Sequence, residues 1–341
     1  IAMEMRNVAE QVKPSGWKNT LFGKVRANPN TIELATWPLL AYENVGLRRL
    51  VDKLSIDQLF PAQLRDLEAM LPKQPKKPLR QELQVIARAT NESKYRVGFF
   101  LGCSQSLMFS EESAATVRVL NRNGCTVITP KETVCCGMPA AGYGRQDLVM
   151  EHAKTNIEVF EKEDLDVIVT DCATCGSQLR KYGDILKDEP EWAERARKFS
   201  DKIRDISEFL MSIPLEKPTG KIDARITYHD PCHLRRAQKV WKEPRAILQM
   251  VEGVDYVELP EANVCCGSAG SQLITHYETS TLLLDRKMKN LKSTNAEIIA
   301  SGCPGCQMQL MTGVQREGLK VKVMHPIQIL DQAYKAQDEE K

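Results

Sequence analysis

The stretch TVCCGMPAAGYG, residues 133–144, places two cysteines side by side and follows them with glycine and other small residues. The pattern returns as NVCCGSAGSQ at residues 263–272, so the second cysteine pair lies 130 positions after the first. Ten of the eleven cysteines form two sets with one order: a single cysteine, a CCG motif and a CxxC motif. The gaps between these groups are 31 and 35 residues in the first set and 32 and 36 in the second. This agreement indicates an internal duplication.

Short apolar runs lead into the cysteines of both sets. They end at the single cysteines and at the CxxC motifs, at residues 95–103, 165–172, 224–232 and 296–303. Such β-branched runs, bounded by Gly, Pro or Asp, predict buried strands. Helical periodicity begins at Ser110 and is found again at residues 147–161 and 271–292. The alternation predicts an α/β fold with two duplicated cysteine-rich domains, each built on a parallel sheet with crossover helices.

The domain organisation follows from these patterns. Residues 1–94 show helical periodicity but no chemically specific motif, and we predict a mostly helical N-terminal region and linker there. Within this region, LPKQPKKPLRQ at residues 71–81 contains three prolines and is typical of an extended connection. The first cysteine-rich domain is predicted at residues 95–215 and the second at residues 222–335.

Composition argues against several classes of protein. The 341 residues are 42% hydrophobic, and the net charge of +2 arises from interspersed acidic and basic side chains, so no binding to nucleic acid or to an anionic membrane surface is predicted. No window of 18 consecutive apolar residues and no secretory leader is found. We therefore predict a cytoplasmic chain that reaches the inner face of the membrane only through a partner. In such a chain, eleven cysteines argue against a disulfide framework.

The predicted topology gathers the cysteines of each set at one edge of a sheet, because the carboxyl ends of parallel strands share an edge. The predicted metal and cofactor ligands are Cys103, Cys135, Cys136, Cys172, Cys175, Cys232, Cys265, Cys266, Cys303 and Cys306. Structural zinc takes four ligands, so five thiolates from three loops favour a polynuclear iron–sulfur centre over zinc and over inert buried thiols. Adjacent cysteines do not easily direct both sulfurs at one tetrahedral ion, but they can reach two irons.

Longer strings carry a family resemblance. They are VCCGMPAAGYG (134–144), DCATCGSQLRKYG (171–183), YHDPCHLRR (228–236), CCGSAGSQLITHYETS (265–280) and GCPGCQMQL (302–310). From about residue 95 to 335, the chain resembles the cysteine-rich CCG domains of heterodisulfide reductase catalytic subunits and of the iron–sulfur subunits of glycolate and lactate oxidases. In the reductases such sets hold noncubane clusters that reduce a disulfide, and in the oxidases they conduct electrons between a flavin subunit and a quinone or another carrier.

The resemblance implies two iron–sulfur clusters of the 4Fe-4S type, with the choice between cubane and noncubane geometry left open. It further implies an electron-transfer subunit of a flavin-dependent 2-hydroxyacid oxidoreductase, with FAD on a partner oxidase subunit and a ferredoxin-type or quinone-linked carrier as a second partner. The alternative is a catalytic subunit that reduces a disulfide directly at a noncubane cluster. The oxidase relatives also carry an N-terminal ferredoxin domain with two CxxCxxCxxxCP runs, whereas this sequence has no cysteine before Cys103. We expect an upstream domain or a partner to fill that role.

Three histidines lie near the second cysteine set in sequence. His229 and His233 bracket Cys232, and His276 follows the second CCG motif. Each is a candidate proton donor, or a group that tunes a reduction potential through a hydrogen bond. A hydrogen-bonding histidine at the end of a strand is the simpler alternative.

Three further residues are predicted to be structural. Cys125 has no counterpart in the second half of the chain and is predicted to be a core cysteine. Asp171 and Asp230 each lie just before a cysteine, and are predicted to form turns because aspartate readily bonds the neighbouring backbone.

Overall fold

The computed structural model describes residues 77–268 and 275–339, and in addition Thr31, Pro38, Pro61, Gln63, Arg65 and Asp66. Most of the N-terminal region predicted to be helical at residues 1–94 therefore lies outside the described residues. The first four residues of the helix predicted at 271–292 also lie outside them. No helix among the residues that the structure describes is both long and apolar enough to cross a membrane.

The first cysteine set lies at a five-stranded sheet with the strand order β1-β3-β2-β4-β5. The strands are β1 (Ile86–Ala87), β2 (Tyr95–Phe99), β3 (Cys125–Ile128), β4 (Val167–Thr170) and β5 (Ile203–Asp205). All neighbouring strands are parallel except β1 and β3, which are antiparallel. Since β1 precedes residue 95, the first sheet begins earlier in the chain than the domain boundary suggested by the cysteine pattern.

Helices precede, connect and follow the strands of this first unit, and those between parallel strands are crossovers. In chain order they are α1 (Leu79–Glu82), α2 (Cys103–Met108), α3 (Ser110–Arg122), α4 (Met138–Gly142), α5 (Gln146–Glu161), α6 (Ala173–Leu179), α7 (Tyr182–Ile185), α8 (Ala193–Lys202) and α9 (Ile206–Ser212). Helix α3 begins at Ser110 as predicted, and α5 corresponds to the helix predicted at residues 147–161.

The second cysteine set lies at a four-stranded, wholly parallel sheet with the order β7-β6-β8-β9. Its strands are β6 (Ala224–Tyr228), β7 (Val254–Tyr256), β8 (Ile298–Ala300) and β9 (Lys322–Met324). Its helices are a π-helix (His233–Gln238), α10 (Glu243–Met250), α11 (Tyr277–Thr294), α12 (Pro304–Arg316) and α13 (Pro326–Glu339). The two sheets confirm the predicted α/β fold with a duplicated cysteine-rich unit.

The apolar runs that predicted strands are explained by burial on both faces. Every residue of β3 and β4 is buried, which is typical of parallel strands covered by helices on both sides of a sheet. Cys125 is the first residue of β3 and is fully buried, as predicted for a core cysteine. Burial raises the pKa of its thiol to about 12.

The two units share a hydrophobic core. Val97 of β2, Ile226 and Tyr228 of β6, and Ile329 of α13 all belong to one continuous cluster of buried side chains. At the edge of this interface, a pair of helices is joined by an ion pair. Arg118 of α3 donates two hydrogen bonds to the carboxylate of Asp331 in α13, at 3.0 and 2.7 Å. The cysteine sets of the two units are therefore held in a defined relation to each other.

Asp66 connects the N-terminal region to the second unit. Its carboxylate accepts a hydrogen bond from the Tyr277 hydroxyl at 2.9 Å, and its backbone carbonyl accepts one from the Thr312 hydroxyl at 3.3 Å. The Arg316 guanidinium lies 3.9 Å from the same carboxylate. These contacts place this part of the N-terminal region against α11 and α12.

Candidate metal centre

Three segments of the first unit bring their cysteines to the carboxyl edge of the sheet. Cys103 begins α2 just after β2, Cys135 and Cys136 lie between β3 and α4, and Cys172 and Cys175 lie at the start of α6 just after β4. The last four are buried in one cluster, and the half-buried Cys103 packs against them. The five cysteines predicted from spacing therefore lie in or against one buried cluster at this edge of the sheet.

The sulfur atoms of the first set interact directly. The backbone N–H of Cys175 donates to the sulfur of Cys172 at 3.3 Å. Hydrogen bonds from the thiols of Cys135 and Cys175 lower the pKa of Cys136 to about 6. A thiol with a lowered pKa is readily present as the thiolate, the form that binds metal.

The second unit repeats this arrangement. Cys232 directly precedes the π-helix, Cys303 follows β8, and Cys306 lies in the first turn of α12. Cys303 and Cys306 pack with Cys266 in one buried cluster. The Cys232 thiol lies close enough to Cys303 and Cys266 for their negative charge to add to the effect of burial, which raises the pKa of Cys232. The half-buried Cys265 is hydrogen-bonded to Cys266 and lies near Cys232.

Two cysteines of the second set have lowered thiol pKa values. The pKa of Cys303 is lowered to about 7, mainly by a hydrogen bond from the Cys306 thiol and to a smaller extent by one from the Thr174 hydroxyl. The pKa of Cys266 is lowered by hydrogen bonds from Cys265 and Cys306, and further by His229. In both units, hydrogen bonds thus favour the thiolate form at part of the cysteine set.

The three candidate histidines have different surroundings. His229 is buried, and a ring nitrogen of it and the sulfurs of Cys266 and Cys306 all lie within 4.8 Å of one another. His233 is half-buried, with its Nδ1 atom 3.9 Å from the sulfur of Cys232, and burial lowers its pKa. His276 is exposed, and its Nδ1 atom lies 2.9 Å from the Thr275 hydroxyl. The structure therefore brings His229 and His233 to the second set, whereas His276 lies at the surface.

Asp171 and Asp230 have roles that the sequence pattern did not indicate. The buried Asp171 carboxylate accepts hydrogen bonds from Ser113 and Thr116 of α3, at 2.5 and 3.2 Å. The buried Asp230 carboxylate accepts hydrogen bonds from Arg235 at 2.6 Å and from Arg245 at 2.7 and 3.0 Å. Both acids therefore anchor helices beside the cysteine loops, in contrast to the predicted turns. The partners of Asp171 are more than 50 residues away, and those of Asp230 follow at 5 and 15 residues without a recognisable motif, so spacing carried no signal for these contacts.

Glu112 is a further buried acid, and sequence reasoning did not identify it. It lies in the first turn of α3 and is 4% exposed, and burial raises its pKa well above the usual value. The charge of Asp171 raises it further, whereas a hydrogen bond from Gln307 of α12 opposes the shift. Acidic residues at a helix start are ordinarily solvated, so nothing in the local pattern indicated that this one is buried.

The donor set matches an iron–sulfur cluster at each site. Each site offers five cysteine sulfurs that are buried or half-buried. Thiolates are the ligands of iron–sulfur clusters, whereas structural zinc is complete with four donors. The cysteines named above are therefore suited by their chemistry and their shared location to hold such clusters.

Comparisons with known proteins agree with this chemistry. Residues 97–180 and 226–311 match the family model of the cysteine-rich domain CCG. Residues 13–71 match the model of the linker region of the glycolate oxidase iron-sulfur subunit. Among solved structures, a hypothetical protein from Helicobacter pylori superposes with a TM-score of 0.53 at 10% identity, over 96% of this chain and 74% of that one. This likeness concerns the fold alone.

Three curated relatives illustrate the range of similar proteins. The probable glycolate oxidase iron-sulfur subunit of Bacillus subtilis is 35% identical over 93% of this chain and 72% of its own length. Lactate utilization protein A of Halalkalibacterium halodurans is 30% identical over 72% of this chain and all of its own length. Lactate utilization protein A of Oceanobacillus iheyensis is 32% identical over 69% of this chain and 96% of its own length.

Proposed function

Because the chain belongs to the family of glycolate oxidase iron-sulfur subunits with two cysteine-rich domains, we propose that it conducts electrons from a flavin-dependent 2-hydroxyacid oxidase subunit through two iron–sulfur centres. It is an electron-transfer component of an oxidoreductase. The linker match at residues 13–71 favours this function over direct reduction of a disulfide.

Each centre is assigned to one set of five cysteines. The first is held by Cys103, Cys135, Cys136, Cys172 and Cys175, and the second by Cys232, Cys265, Cys266, Cys303 and Cys306. When bound, such clusters supply one-electron redox chemistry over a range of potentials that the protein sets. The observation that carries this assignment is the convergence of the five thiols of each set from three separate loops.

The rest of the chain prepares the two sites for electron transfer. Burial shields seven of the ten cysteines from water, and backbone N–H groups donate to two of the sulfurs, as Cys175 does to Cys172 at 3.3 Å and Gly267 does to Cys265 at 3.4 Å. Such hydrogen bonds stabilise the reduced, more negative state of a centre and so adjust its potential.

The substrate is oxidised on a partner in this proposal. FAD is placed on the partner oxidase subunit, and a ferredoxin-type domain or a quinone-linked carrier completes the path. The complex is placed in the cytoplasm, with contact to the inner face of the membrane only through a partner. Purification of the complex from its source tests this arrangement: a bound FAD subunit and dye reduction driven by a 2-hydroxyacid are expected, whereas turnover of a disulfide by this chain alone would contradict it.

The cluster assignment is tested by changing one cysteine in each set. Cys136→Ser and Cys266→Ser are each expected to lose about half of the bound iron and sulfide, because each removes a buried ligand of one centre only. Cys125→Ala is the matched control, since Cys125 is a fully buried cysteine outside both sets. Iron and sulfide analysis of anaerobically purified protein measures the outcome. Zinc in place of iron, or full iron in both serine variants, contradicts the assignment.

A further inference from the structure

The two cysteine sets are connected through the first CxxC loop. Between Cys172 and Cys175, the backbone N–H of Ala173 donates to the carbonyl of Gly302 in the second unit, at 3.0 Å. The carbonyl of Ala173 accepts a hydrogen bond from Gln238 of the π-helix at 2.8 Å. The loop that carries two ligands of the first centre is therefore docked against the loop that carries ligands of the second.

Thr174 makes the direct contact between the sets. Its hydroxyl lies 3.2 Å from the sulfur of Cys303 and 3.3 Å from Nδ1 of His233. A metal-bound thiolate has no proton, so the Thr174 hydroxyl must donate to Cys303 and can accept from His233. Thr174 also precedes Cys175 directly in the chain, so it connects a ligand of the first centre to a ligand of the second through a few bonds and one hydrogen bond.

The equivalent hydrogen bond, from the CxxC motif of the second unit to a sulfur of the first set, cannot form, because the duplicated sequences differ at the positions concerned. Gly305 stands in the second CxxC motif where Thr174 stands in the first, and it has no side chain that could donate. Three positions before the single cysteine, the first unit has Phe100 and the second has His229. A phenylalanine cannot donate a hydrogen bond to a sulfur, whereas His229 lies beside Cys266 and Cys306.

A buried lysine adds to this asymmetry. Lys287 of α11 is 1% exposed, and its ammonium donates to the carbonyl of Glu261 at 2.7 Å. Burial lowers the pKa of its ammonium, whereas the nearby Cys266 and Cys306 oppose this shift and favour the charged form. A cation held near a centre favours the state with the additional electron, as do hydrogen bonds to the ligand sulfurs.

We propose that the second centre has the higher reduction potential of the two, and that Thr174 is the positioning residue through which the first centre passes electrons to it. This inference rests on the proposed function. One electron leaves the first centre, which is oxidised, and enters the second centre, which is reduced. Reduced flavin on the partner gives its two electrons to the first centre one at a time, and a quinone or another carrier takes them from the second centre one at a time.

The test is a potentiometric titration of the cluster-loaded protein, followed by visible absorbance and electron paramagnetic resonance. Two reduction steps are expected in the unchanged protein. Cys266→Ser is expected to lose the step at higher potential, and Cys136→Ser the step at lower potential. This assignment of the steps does not depend on any change at Thr174.

Thr174→Val removes the hydroxyl and keeps the shape of the side chain, and Thr174→Ser is the matched control that keeps the hydroxyl. We expect Thr174→Val to lower the potential of the second centre alone and to slow reduction of that centre after rapid mixing with a one-electron reductant of the first. Thr174→Ser is expected to behave like the unchanged protein. His229→Phe, which copies the first unit at this position, is expected to lower the same potential independently.

Three outcomes overturn the inference. One is loss of the higher-potential step in Cys136→Ser. The second is an equal shift of both reduction steps in Thr174→Val, and the third is no shift of either step in Thr174→Val. In each of these cases two clusters are still present in the unchanged protein, so the proposed function stands. A protein that binds no iron–sulfur cluster overturns the proposed function together with the inference, and iron and sulfide analysis separates that case from the others.

Discussion

The glycine that completes each CCG motif is required by the backbone. Gly137 has a φ of +86° and Gly267 a φ of +97°, a region that side chains other than glycine rarely adopt. The space around the two glycines differs. A Cβ atom on Gly267 would lie 2.4 Å from the carbonyl oxygen of Ser280, whereas one on Gly137 would lie 3.3 Å from a methyl carbon of Val149. The glycine thus allows the chain to turn directly after two adjacent ligands.

Substitution of these glycines by alanine is predicted to have unequal effects. Gly137→Ala is expected to cost about 1–2 kcal/mol of unfolding free energy from the strained backbone alone. Gly267→Ala is expected to cost more, because the new methyl group also overlaps a backbone oxygen, and to lose the second cluster while keeping the first. Urea denaturation and iron content of the two variants measure this. Equal losses of stability with full iron in both variants would show that the close approach to Ser280 is unimportant.

At the scale of single elements, His325 determines how α13 begins. Its Nδ1 atom accepts a hydrogen bond from the backbone N–H of Ile327 at 3.1 Å, in the first turn of the helix. Its Nε2 atom lies 3.1 Å from the carbonyl of Asp171, at the end of β4 in the first unit. The neutral ring with its proton on Nε2 makes both bonds. One side chain thereby caps a helix of the second unit and ties it to a strand end of the first.

Protonation of His325 is predicted to destabilise the fold. Burial lowers its pKa from 6.5 to about 4, against a smaller opposite effect of the bond to Asp171. Because the folded protein binds this proton less readily than the unfolded chain does, the folded state has its full stability only when the pH is above the unfolded-state pKa of 6.5. Stability is lost as the pH falls from about 6.5 towards 4. The loss amounts to at most about 3 kcal/mol. A proton on Nδ1 would also remove the acceptor for Ile327 and place a positive charge at the positive end of the helix.

The measurement compares unfolding free energies at pH 7 and pH 5. His325→Asn keeps an oxygen that can cap the helix but does not titrate, so its stability is expected to fall less between the two pH values than that of the unchanged protein. The exposed His276→Asn is the control and is expected to retain the full fall. An unchanged pH dependence in His325→Asn would assign the effect to other groups.

At the scale of the whole molecule, the shared core makes the two units depend on each other. The cluster that contains Ile329 of α13 includes buried side chains of β2 and β3 in the first sheet and of β6 and β8 in the second. A separate cluster around Leu310 of α12 contains residues of the second unit alone. Both side chains are fully buried. We therefore expect truncation of a side chain in the shared cluster to destabilise both units, and truncation of one in the separate cluster to destabilise mainly the second unit.

Ile329→Ala and Leu310→Ala form a matched pair for this purpose. Each is expected to cost about 2–5 kcal/mol of unfolding free energy, as large-to-small changes in a core do. Ile329→Ala is expected to reduce the protection of backbone amides in β2 as well as in the second sheet, whereas Leu310→Ala is expected to act mainly on the second unit. Hydrogen exchange followed by mass spectrometry measures both regions. Unchanged protection of β2 in Ile329→Ala would mean that the units open independently.

Much of the site was predictable from the chain. The duplication, the parallel sheets and the grouping of each five-cysteine set follow from local spacing and from the rule that the carboxyl ends of parallel strands share an edge. The role of the CCG glycines follows from their position after two ligands. These features depend on residues close in sequence, or on topology that repeats itself, and for that reason the sequence alone determined them.

Other features were decided only when the two units packed together. The contact of Thr174 with Cys303, the bonds of His325 to Asp171 and the pair of Arg118 with Asp331 all join residues of different units. So does the approach of Gln307 to the Glu112 carboxylate, which opposes the rise in the pKa of that acid. Such contacts depend on the angle and register at which two sheets meet, and these result from the packing of many side chains at once. The linear pattern specifies which sulfurs meet within a unit, whereas tertiary packing decides how one site acts on the other.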